Sequence, residues 1–93
     1  MTSNGSVERT VHIVNRMGFH ARPAAEFVKL AGRFTSEIWV RKDGLDVNGK
    51  SIMGVLMLAA EQGARLVIRA EGTDAEDALD ALAALVDRGF EEL

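Results

Sequence analysis

The chain contains a single proline, and the position of this residue, Pro23, restricts the local fold more than any other feature. Proline has no backbone N–H, and a helix tolerates that loss only in its first turn, where the N–H groups have no intrahelical partner. The apolar residues after Pro23 therefore belong to a helix that begins just before it. This places His20 at or next to the helix N-terminus, within residues 18–25, whose sequence is GFHARPAA.

The start of this helix is predicted to bind an anion. Its first N–H groups lack partners and its dipole is positive at this end. We expect the N–H groups of Ala21, Arg22 and Ala24 to be free, and the Arg22 guanidinium adds a fork-shaped cationic donor. An imidazole beside an anion site suggests a histidine that accepts a phosphoryl group. Spacing alone leaves the alternative open that His20 is a helix cap or an ordinary surface residue.

Length and composition limit the chain to one small domain. With 93 residues, of which 47% are hydrophobic, the chain can form one two-layer core but not two. The absence of cysteine excludes disulfides, thiolate chemistry and cysteine-based zinc sites, and it suits a reducing cytoplasm.

The N-terminus has neither the basic nor the apolar stretch of a signal peptide, and no apolar run approaches the ~20 residues that a membrane span needs. We therefore expect a cytoplasmic protein without direct membrane insertion. Residues 1–6 are polar and small, without periodicity, and are interpreted as a disordered tail. The domain is expected to cover residues 7–93.

The charge distribution argues against nucleic acid as a partner. The chain has 11 basic and 14 acidic residues, a net charge of −3, whereas nucleic acid is bound chiefly by Lys and Arg. The acidic residues cluster late in the sequence, so the region around His20 is expected to be relatively basic. The basic residues of that region are Arg22, Lys29 and Lys50. This asymmetry favours an acidic partner that docks near His20.

Hydrophobic periodicity predicts seven elements. Strands are predicted at residues 7–14, 37–41, 45–47 and 65–70. Helices are predicted after Pro23, at residues 52–61 with Ser51 as the cap, and after a capping box formed by Thr73 and Glu76. The order β-α-β-β-α-β-α, with a hairpin turn at residues 42–44, predicts an α+β fold. This is an open-faced two-layer sandwich, a four-stranded antiparallel sheet with three helices on one face.

The two later helices differ in their apolar patterns. In the last helix, apolar residues form one stripe opposite acidic residues, so we expect a structural helix without chemistry. In the short helix, apolar residues extend nearly all round, and a helix packed on a sheet buries only one side. Some of them are therefore expected to be exposed as a docking surface, for which Met53 and Met57 are adaptable side chains. The alternative is a more enclosed helix.

Two segments together resemble HPr, the phosphocarrier family of the bacterial sugar phosphotransferase system. They are GFHARPA at residues 18–24 and VNGKSIMGV at residues 47–55, and both occur in the family's order and separation. The similarity extends over about residues 7–90. The order of elements agrees with the fold that this resemblance implies.

The resemblance implies a role for several residues. His20 matches the histidine that accepts the phosphoryl group on Nδ1, and Arg22 matches the arginine that steadies the phosphate. Ser51 matches the serine that HPr kinase/phosphorylase modifies in many bacteria. The surface that docks both enzyme I and the enzyme IIA components is matched by Ile52, Met53 and Leu56. Phosphate would pass from phosphoenolpyruvate through enzyme I to this chain and then to enzyme IIA.

The residues themselves agree with a carrier. A neutral imidazole is a competent nucleophile near pH 7, and its phosphoramidate stays labile enough to be passed on. We find no nucleophile-base pair, metal-ligand cluster or cofactor motif, so we expect a stoichiometric carrier rather than an enzyme, without cofactor or metal. A monomer is expected, because a carrier that docks two partners on one face gains nothing from burying it.

Several alternatives stay open. The chain could be a paralogue of the nitrogen-related branch, or one that acts only in regulation. It could also be a small binding module in which His20 is only a cap. Ser51 phosphorylation is predicted to weaken docking without unfolding the domain, although capping alone would explain a serine at this position.

Overall fold

The computed structural model describes residues 6–92 and contains the seven elements in the predicted order, followed by a short 3₁₀ turn. The strands are β1 (Ser6–His12), β2 (Glu37–Lys42), β3 (Leu45–Asn48) and β4 (Arg65–Glu71). The helices are α1 (Ala21–Ala31), α2 (Ile52–Met57) and α3 (Ala75–Asp87), and the 3₁₀ turn η1 spans Gly89–Glu91. Of the predicted tail, residues 1–5 lie outside the described residues, while Ser6 already pairs with Glu71 in the sheet.

The four strands form one antiparallel sheet in the order β1-β4-β2-β3, which confirms the predicted fold class. Side chains alternate between the two sheet faces. One face is buried beneath the helices, of which α3 contacts β1 and β4 and α2 contacts β3. This face includes Val11, Ile38, Val40, Leu66 and Ile68. The opposite face has no helix over it within residues 6–92.

The β2–β3 hairpin turn follows its predicted chemistry. Asp43 and Gly44 both have positive φ, 51° and 84°. This is the backbone that a two-residue turn needs to match the twist of the flanking strands, and the Asp-Gly pair favours it.

β1 ends at His12, two residues before its predicted end. The Ile13 N–H still donates to the Ala64 carbonyl at 2.9 Å, but the Ile13 carbonyl accepts from Gly63 at 2.7 Å instead of from Ala64. The ladder therefore loses its register at this point. Val14, half exposed, begins the loop that leads to His20.

α2 is shorter than predicted and ends at Met57 rather than at residue 61. Leu58 and Ala59 donate to carbonyls three residues back, at 3.2 and 3.1 Å, and Ala59 has φ 49°. These bonds tighten and end the helix. The chain then turns inward, and buried Ala60 accepts a hydrogen bond from Phe19 at 2.8 Å. The predicted length was wrong because alanine gives no sign of a left-handed conformation.

The predicted capping box at α3 is also wrong, although its apolar stripe is confirmed by burial. Asp74 is the N-cap residue, and its side chain does not cap the helix. It accepts hydrogen bonds from the backbone N–H groups of Thr35 and Ser36, both at 2.9 Å, and from the Ser36 hydroxyl. Asp74 therefore ties the start of α3 to the turn after α1.

The described part of the chain, residues 6–92, has no helix with the length and apolar character that crossing a bilayer would need.

Candidate functional site

The loop before α1 is held in place at its glycine and at its asparagine. Gly18 has φ 69°, and an added Cβ would lie 2.3 Å from the Ala60 carbonyl oxygen, so no other residue fits without displacing the backbone. Buried Asn15 donates from Nδ2 to the Gly18 carbonyl at 2.8 Å. Together with the bond from Phe19 to Ala60, these contacts fix the path by which the chain enters α1.

Phe19 fastens this loop to two other parts of the molecule. Its buried ring packs edge-on against Phe27 of α1, with ring centroids 5.4 Å apart, and against Phe90 of η1 at 5.5 Å. Phe90 and Glu91 have positive φ, 57° and 63°, and they turn the chain back after α3. The C-terminal segment is thereby brought to the start of α1.

His20 is the N-cap residue of α1, as predicted, but its side chain makes no capping hydrogen bond. Instead, Nε2 lies 2.9 Å from Oε1 of Glu92. The imidazole is about one-third exposed, whereas the Glu92 side chain is only 16% exposed. The geometry therefore disagrees with the alternative in which His20 serves only as a helix cap.

Arg22 reaches the same carboxylate. Its Nη1 atom lies 3.6 Å from Oε2 of Glu92, and its Nε atom lies 3.5 Å from Glu26, one turn further along α1. The Arg22 side chain is 64% exposed, so it can reorient without disturbing the core. Glu92 thus joins the two predicted site residues, His20 and Arg22.

The predicted anion site is smaller than expected. The Ala24 N–H is not free, because it donates to the His20 carbonyl at 3.0 Å. The first intrahelical bond always uses the carbonyl of the N-cap residue, and the cap here is His20. Within residues 6–92, the structure gives no acceptor for the N–H groups of Ala21 and Arg22. Two N–H groups, rather than three, are open to an anion.

Glu92 is the site residue that the sequence analysis missed. The hydrogen bond from His20 is the main cause that lowers the pKa of Glu92 below its ordinary value. A hydrogen bond from Asn15 Nδ2 at 3.0 Å and the charge of Arg22 act in the same direction. Glu92 lies 72 positions from His20, and no spacing rule connects them. Phe90, an aromatic residue two positions before Glu92, was the only feature of the sequence that indicated a return of the chain to the core. Its side chain is buried.

The surroundings of His20 are also less basic than predicted. Glu26 and Glu92 both lie near Arg22. Lys50 points elsewhere, because its Nζ donates to the Phe34 carbonyl at 2.7 Å. Phe34 lies just after the C-terminus of α1, the end of a helix that favours cations.

Ser51 caps α2, as predicted. Its Oγ accepts a hydrogen bond from the Gly54 N–H at 3.1 Å. No hydrogen bond within residues 6–92 joins Ser51 to His20 or Arg22, so any influence between these residues must act through a partner or through the wider field of charge.

The apolar residues of α2 divide as predicted, with Val55 buried and the others exposed, and Leu58, which follows the helix, is buried as well. Met17, in the loop before His20, is also 67% exposed. The bond from Phe19 to Ala60 brings this loop beside the end of α2. We call these residues the methionine surface, and its members are Met17, Ile52, Met53, Leu56 and Met57. The sequence analysis missed Met17 because nothing near it is periodic.

Three comparisons with known proteins identify the relatives of this chain. A family model described as "PTS HPr component phosphorylation site" matches residues 7–88. The phosphocarrier protein HPr of Treponema pallidum is 48% identical over 86 residues, which cover 92% of this chain and 98% of that protein. The crystal structure of HPr-C-His from Thermoanaerobacter tengcongensis has a TM-score of 0.90 and 48% identity, over 94% of this chain and 98% of that chain.

A regulatory relative is also similar. Crh, a catabolite repression protein of Bacillus subtilis, was solved as a dimer with a swapped domain. It has a TM-score of 0.73 and 44% identity, over 89% of this chain and 95% of that chain. Carrier and regulator share the fold, so the fold does not distinguish them. Because the family model spans nearly the whole domain and the relatives match along most of their length, the chain belongs to the HPr family of phosphocarrier proteins.

Proposed function

We propose that the protein accepts a phosphoryl group on His20 from phosphorylated enzyme I and passes it to enzyme IIA components. The observation that carries this proposal is the contact between His20 Nε2 and the Glu92 carboxylate. A carboxylate only accepts hydrogen bonds, so Nε2 holds the proton. In the neutral ring, the lone pair is then on Nδ1, which becomes the nucleophile.

The transfer needs no proton to move. The Nδ1 lone pair attacks the phosphorus of the donor, a P–N bond forms, and the donor keeps the electron pair of the bond that breaks. The ring keeps its Nε2 proton and becomes cationic. The Glu92 carboxylate, hydrogen-bonded to that proton, stabilises the charge as it develops.

The open N–H groups of Ala21 and Arg22 and the Arg22 guanidinium would bind the phosphate oxygens. A helix dipole contributes only ~0.3–1 kcal/mol at an exposed position, and Arg22 would have to exchange its contact with Glu92 for one with the phosphate. Both features keep the binding of the phosphoryl group weak. Weak binding suits a group that must leave again.

Docking of enzyme I and enzyme IIA is assigned to the methionine surface, with Ile52, Met53 and Leu56 as its predicted members. Four of its five residues belong to α2, and the loop that leads to His20 contributes the fifth. A partner that covers this surface would lie beside the reacting nitrogen. We propose a monomer as the active form, because a dimer that buried this surface would block both partners.

Ser51 is proposed as the regulatory site, modified by HPr kinase/phosphorylase. A phosphate on Ser51 would lie at the start of α2, beside exposed Ile52 and Met53. There it would add ~1.5 to 2 negative charges to an apolar docking surface. Binding of an acidic partner would weaken while the helix stays folded.

A role in regulation alone is the second candidate function, and the similarity to Crh favours it. A paralogue of the nitrogen-related branch would have the same His20 chemistry with other partners. A nitrogen-branch paralogue needs phosphate on His20, whereas a protein that acts in regulation alone does not. This requirement can be tested directly.

The test is incubation with phosphoenolpyruvate and an active bacterial enzyme I, followed by measurement of intact mass before and after mild acid. We expect one acid-labile phosphate in the wild type, none in His20→Ala, and one in His12→Ala, which removes an exposed histidine in β1. Subsequent transfer to an enzyme IIA would establish the carrier. Absence of phosphate in the wild type would contradict the carrier and favour regulation or a binding module.

A further inference from the structure

A cationic cavity of about 600 Å³ lies apart from the His20 site. Its walls are the β2–β3 turn and the segment that leads from α2 into β4, and its floor is the sheet face without helices. The charged lining residues are Arg41, Lys42, Asp43, Glu61 and Arg65, and Val67 also lines it. None of the residues assigned to phosphoryl transfer or docking lines this cavity.

Two arginines converge on this cavity from neighbouring strands. Arg41 of β2 is directly opposite Val67 of β4. Arg65 lies two residues before Val67 and hence on the same face of the sheet. Arg41 and Arg65 are therefore diagonal neighbours, a distance that long side chains span. Their guanidinium groups have the fork geometry that binds oxyanions.

These two arginines form no ion pair in the described part of the chain. Arg9, Arg69 and Arg88 each form an ion pair with a carboxylate, but neither Arg41 nor Arg65 forms one within residues 6–92. The cross-strand partner of Arg41 is Asp46, yet Arg41 lines the cavity and forms no ion pair with Asp46. Two like charges on adjacent strands thus have no direct ion-pair partner.

The carboxylates of the cavity leave a positive balance. Asp43 is paired with Lys42 at 3.4 Å, and its side chain is 86% exposed. Glu61 is exposed as well. The walls also have room for a ligand, because a Cβ added to Gly44 or Gly63 would meet nothing within 4 Å. Their backbone is therefore open to a bound molecule.

We propose that this cavity binds a small organic phosphate, with its phosphate group held between Arg41 and Arg65. Two guanidinium groups around one ligand suit a dianion better than a single carboxylate. A volume of about 600 Å³ lies within the range of small-molecule sites. This site is separate from His20, so its failure would leave the phosphocarrier function untouched.

The test is titration of the ¹⁵N-labelled protein with ribose 5-phosphate, inorganic phosphate and gluconate, with the amide chemical shifts as the readout. We expect saturable shifts at Arg41, Gly44, Gly63 and Arg65 with ribose 5-phosphate, and weaker binding of gluconate, which has a single carboxylate. Replacing both arginines (Arg41→Gln with Arg65→Gln) should weaken binding by about tenfold or more, because it removes two charge-assisted donors. The matched control is Arg33→Gln, an exposed arginine outside the cavity, and it should bind like the wild type.

Three results would overturn the proposal. Absence of saturable shifts at the cavity would exclude the site, and shifts confined to residues 20–22 would place the phosphate at the start of α1 instead. Gluconate that binds as tightly as ribose 5-phosphate would contradict the selectivity for phosphate. The thermal midpoint of the double variant is the control for folding. If this midpoint is unchanged, weaker binding is caused by the loss of the two arginines and not by unfolding.

Discussion

At the scale of single residues, the two nitrogens of the His20 imidazole have different surroundings. Nε2 faces Glu92 at 2.9 Å, and that carboxylate is itself held by Asn15 and lies 3.6 Å from Arg22. A carboxylate in this position orients the ring and determines which nitrogen carries the proton. It also holds a negative charge close to where a phosphate would bind. Glu92 should therefore assist the chemistry and limit how firmly the product is held.

Replacing Glu92 with glutamine tests which of these two effects is larger. The amide oxygen can still accept the hydrogen bond from His20, but the negative charge is gone. We expect the phosphoryl equilibrium with enzyme I to shift toward the phosphorylated protein by roughly three- to tenfold, since one charge several ångströms from an exposed phosphate is removed. The phosphorylated fraction at fixed ratios of phosphoenolpyruvate to pyruvate measures this shift.

The control for this substitution is Glu91→Gln. Glu91 is the neighbouring residue, its side chain is 67% exposed, and it pairs with Arg88 rather than with His20. It should leave the equilibrium unchanged. An equilibrium that moves toward the unphosphorylated protein in Glu92→Gln would show that the favourable interaction with the ring exceeds the repulsion of the phosphate.

At the scale of elements, the six-residue helix α2 combines a cap and a docking surface. A helix this short is unstable in isolation, so it depends on Ser51 at its start and on buried Val55 against the core. Its other apolar residues stay exposed. The cap and the docking surface can therefore be altered separately.

Two substitutions at Ser51 should have opposite effects. Ser51→Ala removes the bond to Gly54 and should cost about 1 kcal/mol of the free energy of unfolding, while transfer from enzyme I stays near the wild-type rate. Ser51→Asp keeps a capping oxygen and so retains most of the stability, but its charge beside Met53 should slow the transfer several-fold. Urea unfolding and rapid-quench kinetics measure the two quantities. A fast Ser51→Asp protein would mean that charge at this position does not affect docking.

The methionine surface itself is tested by Met53→Ser. This side chain is 69% exposed, so its loss should leave the free energy of unfolding within about 0.5 kcal/mol of the wild type. The apparent KM of enzyme I for the protein should rise several-fold. Leu45→Ser, at an exposed apolar residue of β3, is the control and should not change KM. Equal KM values in all three proteins would remove Met53 from the docking surface.

The link between α1 and α3 through Asp74 predicts a dependence of stability on pH. Hydrogen bonds from Ser36 and Thr35 lower the pKa of Asp74 from its usual 3.8 to about 2. Because the folded pKa is the lower one, the link stabilises the protein fully above the unfolded pKa and is lost as the pH falls from about 4 to about 2.

Asp74→Asn should therefore be less stable than the wild type at pH 7, and the difference in the free energy of unfolding should shrink below pH 4. Asp46→Asn, at an exposed position on β3, should follow the wild type throughout. Chemical unfolding at a series of pH values measures these differences. A difference in the free energy of unfolding that stays constant between pH 7 and pH 2 would mean that the hydrogen bonds to Asp74 do not depend on its negative charge.

At the scale of the whole molecule, the sequence predicts the layers of the fold better than the composition of the site. The alternation of the strands, the Asp-Gly turn and the position of Pro23 are local signals, and each led to the correct element. His20 and Arg22 were predicted as site residues in the same way, because they lie two residues apart on one helix start. The confirmed fold thus rests on interactions between near neighbours in the chain.

The missed features are long-range. Glu92 reaches His20 only because Phe90 inserts beside Phe19 and two residues with positive φ turn the chain back. The end of α2 depends similarly on a hydrogen bond between Ala60 and Phe19. Neither contact leaves a periodic pattern in the sequence. Packing of distant segments determines the site, and this information is absent from local propensities.

The most direct measurement is the ¹⁵N spectrum of the His20 ring before and after phosphorylation by enzyme I. Long-range proton correlations identify which nitrogen carries hydrogen and which carries phosphorus. We predict an Nε2–H tautomer in the neutral ring and a P–N bond to Nδ1 afterwards, with the Nε2 proton retained. An Nδ1–H tautomer, phosphorus on Nε2, or no phosphate on His20 at all would contradict the role assigned to the His20 and Glu92 pair.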